Sequence, residues 1–496
     1  MENQSNNLII RPPIVVVLGH VDAGKTSLLD FIRKSAVAKT ESGGITQHIG
    51  ACQIEKEGRK ITFIDTPGHE AFSKMRSRGA RAADIAILVV DAAKGVEPQT
   101  KEAISHIKKA EIPLIVALNK VDRPEANLEK AKRDLAKEDI LVESLGGEVP
   151  SVGTSVVSGK GIDELLELVF LVSELSELKT DLEKPAEGWV IESQMDDQTG
   201  PLAVLILSQG VLKIGDVIGT ESAISKIKNL KDFQGNSVER ALPSDPVLVF
   251  GFEELPKVGE NFKVFPDLET AKLAAKDSGW KTAISQVPLS PEQKVLNLIL
   301  KTDFLGSLEA ITGILKVIPH DKVALCIIKA EAGDINESDV KSAKSSQAKI
   351  LGFRVKVSPM AKAMALREKI RIVNFEVIYE LAESVRNLME AQLSPEASRE
   401  NLGKARILAV FAMEKNRQVI GGRVLEGCVE KGSKIEILRN DELVGRGKLI
   451  NLQRDKKDIE RCSKGEECGF LCEGNILIEK DDILAFFKEI YGKARL

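Results

Sequence analysis

An apolar run, Ile14-Val15-Val16-Val17-Leu18, leads straight into Gly19-His20-Val21-Asp22-Ala23-Gly24-Lys25-Thr26. A short Val/Ile-rich run that stops at a glycine-bounded loop and restarts as a helix constrains the chain strongly. It is the first strand–loop–helix unit of a parallel sheet buried on both faces. The glycines let the backbone wrap a phosphate chain, and the main-chain N–H groups at the start of the helix point inward, where negative charge is favoured. Lys25 is placed to reach β- and γ-phosphates and the Thr26 hydroxyl to bind Mg²⁺. The expected nucleotide-binding stretch is therefore Gly19, His20, Val21, Asp22, Ala23, Gly24, Lys25, Thr26 and Ser27. A glycine-rich turn that matches the pattern by chance is the bland alternative.

Further signals at strand ends weigh against chance. Asp65-Thr66-Pro67-Gly68 follows the run Ile61–Ile64, so Asp65 is expected at a strand's carboxyl end, holding Mg²⁺ through water. Gly68 can donate its N–H to a γ-phosphate. Asn119-Lys120-Val121-Asp122 ends the run Leu114–Leu118. An aspartate such as Asp122 accepts both N1–H and N2–H₂ of guanine, a donor pair that adenine lacks, while the Lys120 stem covers the ring. Each tetrapeptide alone is weak; in this order on successive strand ends they specify a guanine nucleotide site, with GTP and Mg²⁺ as the expected ligands.

Phosphoryl transfer to water needs positioning and charge neutralisation more than covalent help. His69, directly after the Asp65–Gly68 turn, is the candidate for orienting the attacking water. A structural histidine is the competing reading. Gly43-Gly44-Ile45-Thr46 is a glycine-rich segment, with Thr46 expected as a second hydroxyl ligand of Mg²⁺. Loss of that contact with the γ-phosphate is the expected switch. Val21 and Ile45 are expected to form an apolar gate in front of His69, with simple packing as the alternative.

The 496 residues are too many for one ordinary core, and several domains are expected. Runs at Ile14–Leu18, Ile61–Ile64, Ile85–Val90 and Leu114–Leu118, with helical stretches between, predict a doubly wound α/β domain over 11–178, closed by a helix near Asp163–Leu175. Charged Glu177–Lys184 reads as a linker. Short runs separated by Gly210, Gly215, Gly219 and Gly235 predict a small β-barrel over 186–265. Renewed alternation predicts a smaller α/β/α domain over 290–373. Ile378, Leu381, Val385 and Leu388 at helical spacing predict a long connecting helix over 374–395, and a second barrel is expected over 403–491.

The net charge of −4 gives no whole-molecule attraction to nucleic acid, so contact with RNA must come from local patches. The first residues lack the pattern of a signal peptide, and no apolar run is long enough to span a bilayer. Six cysteines without disulfide-framework spacing suggest a reducing compartment. A cytoplasmic protein without a membrane partner is the expectation.

The order of these motifs resembles the translational GTPases. In that family a fifth element contacts guanine O6 through a Ser-Ala-Lys turn; here Ser155-Val156-Val157 matches, so Ser155 and Val156 join the expected guanine site, without the usual lysine. The resemblance also implies that His69 is catalytic. Gly43-Gly44-Ile45-Thr46-Gln47-His48-Ile49-Gly50 and Asp65-Thr66-Pro67-Gly68-His69-Glu70-Ala71-Phe72 look like bacterial translation initiation factor two. So do Gly200-Pro201-Leu202-Ala203, Gly210–Asp216, Gly306–Ala310, Ile335–Val340 and Gly465–Phe470. The resemblance implies a ribosome-dependent GTPase that brings formylmethionyl initiator tRNA to the small subunit and promotes subunit joining. Implied partners are both ribosomal subunits, that tRNA and other initiation factors; a monomer is the family expectation.

In that family the last barrel holds the formylmethionine and the acceptor end, which by position implies Arg454, Glu467 and Cys468. Arg454 suits a phosphate and Cys468 an apolar pocket for a methionyl group. Barrel packing is the alternative for Cys468. A zinc site from Cys428, Cys462, Cys468 and Cys472 matches no paired-arm spacing. The sequence departs from the family at Ala23 and at Arg423, where another pocket cysteine would fall, and a chain without the family's long amino-terminal extension is the expectation. Two other readings remain: an elongation-factor-like GTPase that carries tRNA, and a ribosome-docking scaffold that binds GTP without hydrolysing it.

Overall fold

The computed structural model describes residues 8–34, 49–276, 294–319, 322–393, 397–414, 416–440, 442–455, 457–474 and 476–491. The segment with Gly43, Gly44, Ile45 and Thr46 lies outside them, so the second Mg²⁺ hydroxyl and the Ile45 half of the expected gate do too. The chain forms two compact units, Met1–Met389 and Glu390–Leu496.

The first unit opens with β1 (Leu8–Ile10), β2 (Ile14–Gly19), α1 (Lys25–Arg33), β3 (Gly50–Lys56), β4 (Arg59–Asp65), α2 (Ser73–Ala82) and β5 (Ile85–Asp91). It continues with α3 (Pro98–Ala110), β6 (Leu114–Asn119), α4 (Leu128–Ala136), β7 (Ser151–Thr154), α5 (Ile162–Leu175) and β8 (Lys179–Asp181). The sheet order is β3-β4-β2-β5-β6-β7. Every pairing is parallel except that of β3 with β4. β2 is buried along its whole length, the environment its unbroken apolar run predicts. Each such Val, Ile or Leu contributes roughly 1.5–3 kcal/mol of burial.

The order reverses at β2: β4 lies on one side and β5 on the other. The crevice at that reversal, beyond the strand ends, is where doubly wound sheets bind ligands. Parallel register then aligns the strand ends: Val17 is opposite Asp65, Gly19 opposite Val89, Asp91 opposite Asn119, and Asn119 opposite Thr154.

One reading of this domain needs correction, and one strand went unread. The segment expected as a linker contains β8, which pairs with β1 in register Leu8–Asp181. Charge along Glu177–Lys184 hid a strand because it is short and at an edge, where lysine and aspartate are tolerated. And β3, too polar for the apolar-run criterion, is an antiparallel edge strand.

Next comes a closed barrel of six strands. Val217–Gly219, Asn261–Phe265, Glu187–Asp196, Gly200–Gln209, Pro246–Phe252 and Ile224–Asp232 pair in turn, and the last returns to the first. Gly210, Gly215 and Gly235 have positive φ, as turns require. Gly219 does not; it is a buried strand residue with Phe265 packed over it, so its turn assignment fails. Contacts at Ser244 tie this barrel to the preceding domain: Arg11 is bidentate with Asp84 and reaches the Ser244 hydroxyl, and the Thr62 hydroxyl donates to the Ser244 carbonyl at 2.6 Å.

The smaller α/β domain has four parallel strands, ordered Val323–Ala332, Lys294–Thr302, Lys349–Phe353, Ile372–Phe375. Helix Leu305–Val317 packs on strands Lys294–Thr302 and Val323–Ala332, and helices Glu337–Ser346 and Pro359–Glu368 pack on one another. The last strand, Ile372–Phe375, straddles the expected boundary at 373/374. The connecting helix runs only from Ile378 to Glu390, shorter than expected, and buries Met389 rather than Leu388 with Ile378, Leu381 and Val385.

The second unit is another closed six-stranded barrel: Ala397–Glu414, Ile483–Tyr491, Lys434–Arg439, Glu442–Arg454, Glu467–Gly474 and Arg417–Glu430, with the last pairing the first. Its core gathers Phe470, Phe486, Ile420, Leu449 and three of the cysteines.

Candidate functional site

The loop between β2 and α1 turns at Gly19 (φ +147°) and Gly24 (φ +94°). No side chain fits at either. A Cβ on Gly19 would lie 2.3 Å from the Val89 carbonyl oxygen, and one on Gly24 would lie 2.5 Å from Asn119 Nδ2. The Lys25 ammonium is folded back into this loop, donating to the carbonyls of Gly19 (3.1 Å) and His20 (2.7 Å). Gly68 approaches from β4's end so closely that its Cβ would meet Lys25 Nζ at 2.3 Å. The structure thus brings the loop lysine and the Asp65–Gly68 turn to one point.

Burial pulls the Lys25 ammonium down to about 8; the Asp65 carboxylate opposes this and Arg76 adds to it. An anionic phosphate restores the charged form. Nucleotide binding near pH 8.5 is therefore expected to take up roughly 0.5–0.8 proton, and affinity to weaken as pH rises past 8. Calorimetry in two buffers of different ionisation enthalpy reads the uptake. It should vanish near pH 6.5, where the amine is charged with or without ligand; none at pH 8.5 would show that Lys25 does not face the phosphates.

Asp65 is buried beside Lys25, and Thr26 is half-buried at the first turn of α1. A carboxylate and a hydroxyl are the hard oxygen donors Mg²⁺ takes, so these residues fit that ion. Two neighbours bond the framework. The Thr66 hydroxyl donates to the Val17 carbonyl at 2.8 Å, and the Pro67 carbonyl accepts from Arg76 at 3.0 Å. Ser27 is exposed on α1, as are Asp22 and Asp122 in their loops.

From the end of β6, Asn119 braces the loop. Its Nδ2 donates to the Ala23 carbonyl (2.8 Å) and its Oδ1 accepts from Thr154 on β7 (3.2 Å). Ala23 is buried there and contributes its backbone. Lys120, at φ +63°, donates to the Asp22 carbonyl and to Asp91 Oδ2 at 2.8 Å. Val121 N–H donates to the Thr154 carbonyl. Asp91, at the end of β5, was not singled out from sequence. Although burial works against it, bonds from Lys120 and Ala93 N–H hold its carboxylate below the usual range. The Ser155 turn is closed by Ser155 N–H to the Lys160 carbonyl and by Ser158 N–H to Ser155 Oγ. Val157, where the related turns carry lysine, is 86% exposed.

His20 is bound through Nε2 to Glu97 at 2.9 Å, and burial lowers its pKa despite that carboxylate. His69 begins the turn Glu70–Phe72, its Nδ1 accepting from Ala71 N–H at 3.4 Å. Burial lowers its pKa, as does nearby Arg76, so the imidazole is neutral at physiological pH.

Sequence reasoning also missed Arg76. Fully buried, it donates to the carbonyls of Pro67 and His69 and to Glu102, so one guanidinium holds the turn on both sides of Gly68. Glu102, drawn down to about 2 by bonds from His106, Arg76 and Ser73 against the opposing effect of burial, stays ionised as its partner. An i, i+4 Glu–His pair on α3 was the only sequence signal.

In the second unit Arg454, Glu467, Cys468 and Arg423 do come together on adjoining strands, with Arg423 opposite Glu467 and Gly422 opposite Cys468. Arg454 is ion-paired to Glu466, and Arg423 Nε donates to the Gly465 carbonyl at 3.2 Å. Cys468 is joined to Cys462 in a disulfide and buried in the barrel core, so the cysteines are not all unpaired, as a reducing compartment would leave them. Burial pushes the Cys472 thiol up to about 12, away from the thiolate a zinc ligand needs.

The chain matches the family models Elongation factor Tu GTP binding domain over residues 11–174, Elongation factor G domain 2 over 185–265 and Translation-initiation factor 2 over 271–386. It is 41% identical to Translation initiation factor IF-2 of Thermotoga sp. (strain RQ2) over 98% of this chain and 72% of that protein. It is 40% identical to Translation initiation factor IF-2 of Prochlorococcus marinus (strain MIT 9515), over 99% of this chain and 44% of that protein. The chain thus spans less than half the length of that longer relative. A solved structure, GDP-bound aIF5B from Aeropyrum pernix, is 28% identical over 96% of this chain and 92% of its own, with a TM-score of 0.47. With 41% identity along nearly its whole length to a relative of which it covers most, the chain belongs to the translation initiation factor IF-2 family.

Proposed function

We propose that the chain binds GTP with Mg²⁺ and hydrolyses it to GDP and phosphate when stimulated by the ribosome, as a cytoplasmic initiation factor. In this reading it brings formylmethionyl initiator tRNA to the small subunit and promotes subunit joining, with other initiation factors as partners. The observation that carries the reading is the convergence at Lys25: its ammonium lies in the glycine loop, against Gly68 and beside Asp65, with Asn119 bracing the same loop. Three strand ends thereby supply a phosphate cradle, oxygen donors for a hard cation, and an aspartate, Asp122, beyond the brace to select guanine.

Mg²⁺, held by Thr26 and, through water, by Asp65, would neutralise phosphate charge. Lys25 and the loop N–H groups hold the β- and γ-phosphates, and His69 orients the attacking water. Thr46 is proposed as the further hydroxyl ligand. Ser155 and Val156 are proposed to flank guanine O6, with Val156 N–H as donor. The Arg454, Glu467 and Cys468 corner is proposed as the acceptor-end contact, Cys468 contributing apolar disulfide surface rather than a thiol. Filter binding of formylated initiator, unformylated initiator and an elongator tRNA tests the assignment. Preferential retention of the formylated species is expected; equal retention of all three would refute it.

A further inference from the structure

The imidazole of His69 has a second neighbour that the proposed chemistry does not use. Tyr379, from the helix Ile378–Glu390, packs its ring on His69 with centroids 4.3 Å apart and planes tilted by 56°. Among the described residues the imidazole has no hydrogen bond to the phosphate loop. Its only one is with Ala71 N–H. Tyr379 is itself held firmly, since the residue before it, Ile378, and Leu381 one turn on are both buried. Its hydroxyl makes no hydrogen bond among the described residues, and the side chain is 36% exposed. The ring contact is therefore what Tyr379 contributes here.

The surroundings fix where the pair sits. Helix Leu305–Val317 packs on the Glu70–Phe72 turn that His69 opens. Glu309 of that helix is bidentate with Arg78 of α2, at 2.6 and 3.1 Å. Gly306, at its start, donates its N–H to Glu192 of the barrel, a buried carboxyl pushed up to about 8 by its burial. The turn on which His69 stands is thus gripped from the α/β domain, and Tyr379 grips the imidazole itself.

We propose that Tyr379 is a positioning residue for His69, holding the imidazole in a resting orientation by ring packing. The proposal rests on the reading of His69 as the residue that orients the attacking water. A tilted aromatic pair is weak enough to be broken by a docking partner and strong enough to bias a side chain with a few rotamers. Tyr379 restrains hydrolysis until the helix that carries it shifts.

The test is single-turnover GTP hydrolysis by the full chain without ribosomes, alongside nucleotide affinity. Tyr379→Leu is expected to raise the rate by roughly two- to tenfold, the bias such a pair can impose, and Tyr379→Phe to leave it unchanged. Tyr379→Gln, a second ring-free variant, should behave as leucine does. The gain should disappear when His69→Ala is added. The chain has five histidines, so isotope labelling of their rings resolves His69 by NMR. Nuclear Overhauser contacts between its ring protons and the Ala71 N–H should weaken in the leucine variant and stay in the phenylalanine variant, which the lost ring shielding of a merely structural residue would not produce. A leucine variant with unchanged or slower hydrolysis, or a gain that persists without His69, would overturn the proposal. No hydrolysis by the wild-type chain even with ribosomes would instead sink the GTPase reading and the restraint with it. That result is distinguishable, because failure of the restraint alone leaves hydrolysis present and indifferent to Tyr379.

Discussion

Replacing His69 with alanine is expected to lower ribosome-stimulated GTP hydrolysis by about 10²- to 10⁴-fold while nucleotide affinity changes by less than about twofold. The separation follows from geometry. The His69 imidazole meets Ala71 N–H and Tyr379, whereas the phosphate loop is organised by Lys25, Gly19, Gly24 and Asn119. Removing the imidazole therefore leaves the cradle intact. It also removes the acceptor that caps the Glu70–Phe72 turn. His69→Asn separates the two effects, because asparagine can accept the same N–H yet lacks an imidazole. It should be as inactive as alanine. Rapid-quench hydrolysis with ribosomes, paired with equilibrium binding of a fluorescent GTP analogue, measures both. Wild-type hydrolysis by either variant would remove His69 from the chemistry.

Asp122→Asn is expected to weaken GTP binding by about 10²- to 10³-fold and to improve binding of xanthosine triphosphate. The carboxylate offers two acceptors, matching guanine N1–H and N2–H₂. An amide offers one acceptor and one donor, matching xanthine, which has N1–H beside a C2 carbonyl. Each charge-assisted bond is worth about 1.5–3 kcal/mol, so losing one and weakening the other to a neutral bond accounts for the fall. Asp122 is exposed beyond a loop whose Lys120 and Val121 are already tied to Asp91 and Thr154, so the substitution should not disturb folding. Competition binding with both triphosphates reads the exchange. An unchanged preference for GTP would place the base elsewhere.

The site was legible to the extent that it is local. Glycines at Gly19 and Gly24 announce a backbone conformation, and the residues between them announce its ligand. Where strands run parallel, motifs that end them must meet, and the register Asp65–Val17 and Asn119–Asp91 brings them together. The bonds of Thr66 and Asn119 to main-chain carbonyls were not legible, because a buried hydroxyl or amide is satisfied by whichever carbonyl the fold brings near. Cys468 shows the limit in the other direction. A spacing of six from Cys462 says nothing, until two strands that both pair with Arg417–Glu430 bring the two sulfurs together in a core.

What the sequence determined by itself was the nucleotide fold, the order of its motifs and the alternation of barrels with α/β layers. Periodicity, positive-φ glycines and side-chain chemistry act over a few residues and survive any tertiary arrangement. Only the tertiary structure decided what holds the switch turn. Arg78 meets Glu309 across 231 positions, Arg76 meets Glu102 between helices, and Tyr379 meets His69 from a helix with no motif of its own. Such pairs are made by packing, which depends on how whole elements stack, and no short stretch of chain records it.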